Sequence, residues 1–102
     1  MKLSWTRETL NRLIEIEEFI AQDSPRRAED FIDYLLERVS LIPDNPEIGR
    51  IVPEISNIAI RELLIKNYRV VYRVKTTTID ILTVFEDHGL LRRGEILNDP
   101  EG

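Results

Sequence analysis

The stretch "AIRELLIKNYRVVYRVKTTTIDILTVFE", residues 59–86, decides how this chain folds. In "YRVVYRV", residues 68–74, the apolar side chains recur at every second position. Tyr68, Val70, Tyr72 and Val74 share one side of a strand, and Arg69, Val71 and Arg73 share the other. "AIRELLI" before it and "TIDILTVFE" after it are rich in the β-branched and apolar residues that pack on a pleated surface. The links "KN" and "KTT" are short enough for hairpins. Residues 59–86 therefore read as a three-stranded antiparallel meander, with one face apolar and the other carrying arginines.

Upstream, the period changes from two to that of a helix. Leu10, Leu13, Ile14, Ile16 and Ile20 recur at helical spacing after Thr6, a plausible N-cap, with Glu8 in the first turn. "QDSP" interrupts the pattern, and Ser24 caps a second helix with Pro25 at its first position. Ala28, Phe31, Ile32, Leu35, Leu36, Val39 and Ile42 then return every three or four residues. So short a link makes the two helices an antiparallel hairpin. "KLSW" at the start fits a short edge strand, with Trp5 as a packing residue. "PDNPEIGR" breaks the helical pattern with two prolines and a glycine. The expected architecture is α+β: a short N-terminal strand, a helical hairpin and a meander, with the helices over the Tyr68/Val70/Tyr72 face. A short C-terminal helix has room to follow. The polar tail, from about residue 94, is expected to fray.

At 102 residues the chain has the size of one domain, 1–102. It has no cysteine, which excludes disulfides and thiolate metal sites and fits a reducing cytoplasm. No run approaches the ~18 apolar residues of a membrane span, and the N-terminus has no signal-peptide pattern. No His, Cys and carboxylate spacing suits a metal, so neither metal nor cofactor is expected. The net charge of −5 argues against general nucleic-acid binding. The charge is uneven, however. Residues 1–50 hold 7 basic and 11 acidic side chains, whereas residues 61–75 hold five cations against Glu62 alone. Such a basic patch on an acidic body suits an acidic partner or a confined phosphate.

The arginines admit two readings. If the face away from the helices is open, Arg69 and Arg73 project from it, Arg61 joins them across the ladder, and Arg50 reaches it from the "GR" turn. Alternatively, they make cross-strand ion pairs with Glu54, Glu62, Asp80 or Glu86. His88 suits a general acid, but a lone histidine near a strand end is more often solvated. Glu54 suits a general base if burial raises its pKa, or else a loop carboxylate that anchors an arginine.

As a set, "PEIGRIVPE", "IREL", "NYRVVYRV" and "IDILTVFE", in this order after a strand and a helical hairpin, resemble the RelE/ParE toxin superfamily of type II toxin–antitoxin modules. The resemblance covers about residues 3–92, and the wording is closer to the ParE-like branch. It implies a growth-inhibiting toxin neutralised by a cognate antitoxin whose acidic, amphipathic segment suits a basic sheet face beside an apolar groove. DNA would be reached only indirectly, through the antitoxin. ParE-like members inhibit DNA gyrase without hydrolytic chemistry of their own, and RelE-like members cleave messenger RNA in the ribosome. The resemblance places the target- or antitoxin-binding cations at Arg50, Arg61, Arg69, Arg73, Arg92 and Arg93. For the nuclease alternative the candidate trio is Glu54, Arg61 and His88. The acidic balance and scarcity of lysine lean away from an enzyme, because a ribosome-dependent nuclease must bind a strongly anionic particle. The pattern departs at Gly89, where the family commonly has a cation. That departure motivates a third expectation, an attenuated member that only binds antitoxin.

Overall fold

The computed structural model describes residues 1–87. His88, Gly89, Arg92, Arg93, the expected C-terminal helix and the polar tail lie outside the described residues. The elements run β1 (Lys2–Trp5), α1 (Arg7–Ala21), α2 (Pro25–Val39), a 3₁₀ turn at Ile42–Asp44, β2 (Arg50–Ile51), β3 (Ile60–Ile65), β4 (Tyr68–Val74) and β5 (Thr78–Glu86).

Both helices begin on side-chain caps. Thr6 accepts a hydrogen bond from the Thr9 N–H at 3.1 Å, and Ser24 accepts one from the Arg27 N–H at 3.2 Å. Each cap satisfies an orphan backbone donor of the first turn. Pro25 follows Ser24 where no N–H is needed. α2 buries Ala28, Phe31, Leu35 and Val39, spaced three or four apart, and α1 buries Thr9 and Leu13. α2 stops at Val39, one turn short of the apolar pattern, and Ile42 is buried from the 3₁₀ turn instead. Pro43 cannot donate to a continuing helix.

The sheet has the order β1-β5-β4-β3-β2. The meander β3-β4-β5 is antiparallel as expected, and two edges extend it. β1 lies parallel to β5, with Leu3 opposite Ile79 and Trp5 opposite Ile81. Leu3 and Trp5 thereby pack against the core. β2, expected to be part of a loop, pairs antiparallel with β3 through Arg50–Glu62 and Ile51–Arg61.

Between β4 and β5 the register slips. Tyr72 stands opposite Ile81, but Val71 stands opposite Thr83, so Leu82 is an extra residue. The bulge lets Ile79, Ile81 and Val84 all face the core, although their spacing passes from two to three. Its carbonyls are held from α1. The Thr6 hydroxyl lies 2.9 Å from the Ile81 oxygen and 3.1 Å from that of Leu82, and the Thr9 hydroxyl donates to the Ile81 oxygen at 2.8 Å.

The core lies between the helices and one face of the sheet. Leu35, Val39, Tyr72, Ile79, Ile81 and Val84 are essentially inaccessible there. Phe31 meets Tyr68 with ring centroids 5.1 Å apart, a favourable tilted pair. At the β3–β4 hairpin Lys66 has φ 55°, and its ammonium sits 4.9 Å from the centroid of the Tyr34 ring.

Candidate interaction site

Strand register sorts the arginines between the two faces. Directly paired residues of an antiparallel ladder point the same way. Arg61 stands opposite Tyr72, which is in the core, so Arg61 belongs to the helix-covered side. Glu62 stands opposite Val71, Leu64 opposite Arg69, and Ile60 opposite Arg73. Arg50, paired with Glu62, joins these residues on the far face. The expected alliance of Arg61 with Arg69 and Arg73 is therefore corrected: one residue of offset puts Arg61 on the other side.

The far face is not an open row of cations either. Arg69 is 3% exposed. Its guanidinium donates to Glu62 at 2.9 Å and to Asp87 at 3.1 Å, and it lies 3.7 Å from Glu54. The Glu62 carboxylate is fully buried and divides its oxygens between two arginines. One accepts from Arg69, and the other accepts from Arg50 Nε at 2.5 Å. The reason is electrostatic. An arginine on a half-covered strand beside a buried glutamate must pair with it, because either charge alone would be desolvated without compensation. Arg69 is thus an internal tie between β3, β4, the end of β5 and the β2–β3 loop, rather than an open contact. Glu54 Oε1 is buried and has no hydrogen-bond partner among the described residues.

Arg61 performs a second, separate task. It donates to the Gly49 carbonyl at 2.9 Å. The Tyr72 hydroxyl accepts from the Gly49 N–H at 2.9 Å and donates to the Pro46 carbonyl at 2.8 Å. Together they fasten the loop before β2. Gly49 has to be glycine there. A Cβ would lie 2.5 Å from the Glu62 carbonyl and 2.7 Å from the Tyr72 hydroxyl. Burial pushes the Tyr72 phenol up from its ordinary value and Glu47 adds to the rise, while the Gly49 hydrogen bond and Arg61 oppose it.

Of the candidate nuclease trio, the described residues hold Glu54 and Arg61, which engage different partners. Glu54 approaches Arg69 on the far face, Arg61 is engaged with Gly49 on the other, and His88 lies outside them. No cluster of three or more His, Cys, Asp or Glu side chains there is arranged to hold a metal ion. Two far-face arginines keep guanidinium nitrogens toward solvent. Arg50 uses its Nε on Glu62 and is 54% exposed at its side chain, and Arg73 is exposed with no ion pair among the described residues. On the helix side, a shallow groove of about 210 Å³ runs between α1 and β5, with Ile16, Phe19, Tyr68 and Val84 in its lining.

Two members of this arrangement escaped the sequence reading. Asp87 lies two residues beyond Phe85, which stands opposite Arg69, so strand parity alone aims it at that guanidinium. The Tyr72–Gly49 clamp joins residues 23 apart and left no local signal.

The chain matches a family model described as the ParE toxin of the type II toxin–antitoxin system, parDE, over residues 3–88. Among solved structures it is similar to a chain of the chromosomal ParDE toxin–antitoxin system from P. aeruginosa. The identity is 23%, the TM-score 0.73, and the match covers 86% of this chain and 97% of that one. That likeness is one of fold. A comparison with curated proteins found no match.

Proposed function

Because the chain belongs to the ParE toxin family of type II toxin–antitoxin systems, we propose that it arrests growth by binding DNA gyrase and is silenced by a cognate antitoxin. The supporting observation is the family match over residues 3–88, which takes in every strand and helix described here except Lys2, the first residue of β1. A binding protein of this kind needs no reacting constellation. That agrees with far-face carboxylates and arginines used on one another, and with Glu54 and Arg61 engaging different partners. The acidic body also disfavours prolonged contact with bare nucleic acid.

The test is induced expression in bacteria, with and without the small reading frame adjacent to this chain's gene, followed by plasmid topology on a gel. Growth arrest with relaxed or cleaved plasmid, relieved by the neighbour, is the expected outcome. Arrest with normal topology and transcripts cut at codon positions would replace gyrase with the ribosome. No arrest, with the neighbour still co-purifying, would leave an attenuated toxin that only binds antitoxin.

A further inference from the structure

We propose that the shallow groove between α1 and β5 seats the chain's own C-terminal segment, with Leu90 and Leu91 in the groove and Arg92 and Arg93 against the carboxylates of α1. This goes beyond the toxin reading and does not depend on it. α1 and β5 run side by side toward the groove. The Thr9 hydroxyl near the start of α1 donates to the Ile81 carbonyl, and Phe19 near its end shares the groove with Val84 and Glu86. The described chain stops at Asp87, one residue past Glu86, and residues 88–102 follow. Leu90 and Leu91 stand four and five residues beyond Glu86, a reach of roughly 13–18 Å. Along α1 the lining runs from Arg12 to Phe19, about 10 Å of helix. Its whole length is therefore within reach of both leucines.

Size and charge select this occupant. Phe19 is 67% exposed and Ile16 beside it is half-buried, so the groove holds apolar surface that another apolar side chain would shield from water. Its volume of about 210 Å³ is below the roughly 300–1,000 Å³ of small-molecule sites. A separate molecule gains little from so small a contact, because association costs translational and rotational freedom. A tethered segment has already lost most of that freedom, and its effective concentration lies in the millimolar range. The α1 side of the groove is acidic. Glu15 lines it, Glu18 follows one turn on, and neither forms an ion pair among the described residues. Arg12, the cation of the lining, is taken by Glu8 at 2.9 Å, and the last turn of α1 has no basic residue. A helix C-terminus beside unpaired glutamates favours cations. "LLRR", residues 90–93, supplies two apolar side chains and two guanidiniums in succession.

The chain has no cysteine, so an introduced pair is the only one that can cross-link. In the purified full-length chain, Phe19→Cys combined with Leu91→Cys is oxidised under mild conditions, and the disulfide is followed on non-reducing gels. Leu64→Cys combined with Leu91→Cys is the control, because Leu64 is exposed on the opposite face of the sheet. Two cysteines bridge only when their Cα atoms come within ~7 Å. The Phe19/Leu91 pair is expected to close about 10-fold faster than the Leu64/Leu91 pair. A second measurement labels the thiol of Phe19→Cys alone, which is expected to react several-fold faster once Leu90→Ser and Leu91→Ser are added. Circular dichroism verifies that each variant is folded. Equal closure of the two pairs, or faster closure of the Leu64/Leu91 pair, would overturn the inference. A disulfide-linked dimer whose yield rises with protein concentration would also overturn it, in favour of a second copy of this chain at the groove. Labelling unchanged by the leucine variants would overturn the seating of Leu90 and Leu91. None of these readouts involves gyrase or an antitoxin, so failure here leaves the proposed function standing.

Discussion

Tyr72 shows how much one side chain organises at the scale of a residue. Its ring is in the core, and its hydroxyl both donates to Pro46 and accepts from Gly49, so the loop before β2 is anchored through a single oxygen. Tyr72→Phe takes the partner from the buried Gly49 N–H and from the half-buried Pro46 carbonyl, which costs about 1–3 kcal/mol. It also changes the response to alkali. In the folded protein burial raises the Tyr72 pKa, and burial together with Glu86 raises that of Tyr68. Above about pH 10 the unfolded chain releases phenolic protons that the folded chain retains. The stability tied to these protons is complete below about pH 10 and is lost as pH climbs toward the raised folded values. Urea unfolding between pH 8 and 11 should show the wild type falling more steeply than Tyr72→Phe. Parallel curves above pH 10 would refute the assignment. The residue scale is also where the arginines divide, since Arg61 and Arg69 have different neighbours on opposite sides of one sheet.

At the scale of elements, the joint between α1 and the bulge in β5 carries the register. An extra residue in a strand leaves carbonyls outside the ladder, and here the Thr6 and Thr9 hydroxyls reach them. Thr6 serves at the same time as N-cap, so the start of the helix and the irregularity of the strand hold each other in place. Thr6→Ala removes the cap and the carbonyl contacts together. The expected cost is about 1–2 kcal/mol, most of it regained by Thr6→Ser. Chemical denaturation of the two variants compares them directly, and an unrecovered Thr6→Ser would mean that the methyl packing of Thr6 matters rather than its oxygen. The β3–β4 hairpin is the other informative element. A lysine at φ 55° occupies a conformation that glycine or asparagine adopts more readily. The contact of Lys66 with Tyr34 on α2 offsets part of that cost.

For the whole molecule, the buried ion pair is the tie that spans the far side of the sheet. Glu62 and Arg69 connect β3 to β4, and through Arg50, Glu54 and Asp87 they draw in β2, the β2–β3 loop and the end of β5. Removing one partner strands the other in a desolvated place. Arg69→Met alone should cost about 3–5 kcal/mol, while Arg69→Met with Glu62→Leu should recover most of it, because an apolar pair of similar bulk leaves no buried charge. A double-mutant cycle on urea midpoints measures this, and additive losses would show that the two charges are not coupled.

The sequence by itself determined the class of the fold and most of its core. Periods of two and of about 3.6 are local properties of side-chain direction, so the meander and both helices were legible from apolar spacing and caps alone. The family resemblance was equally legible, because it rests on residue order. What only the tertiary structure decided was pairing. Whether β1 joins β5, whether Arg50 and Ile51 make a strand, and which face each arginine takes depend on register between segments far apart in the chain, and a slip of one residue reverses the answer. Two of the neighbours of Arg69, Glu54 and Glu62, were among the carboxylates the sequence offered, and Asp87 was not. The choice of Glu62, Glu54 and Asp87 was made by burial, which strands a charge unless folding brings its counterpart to it.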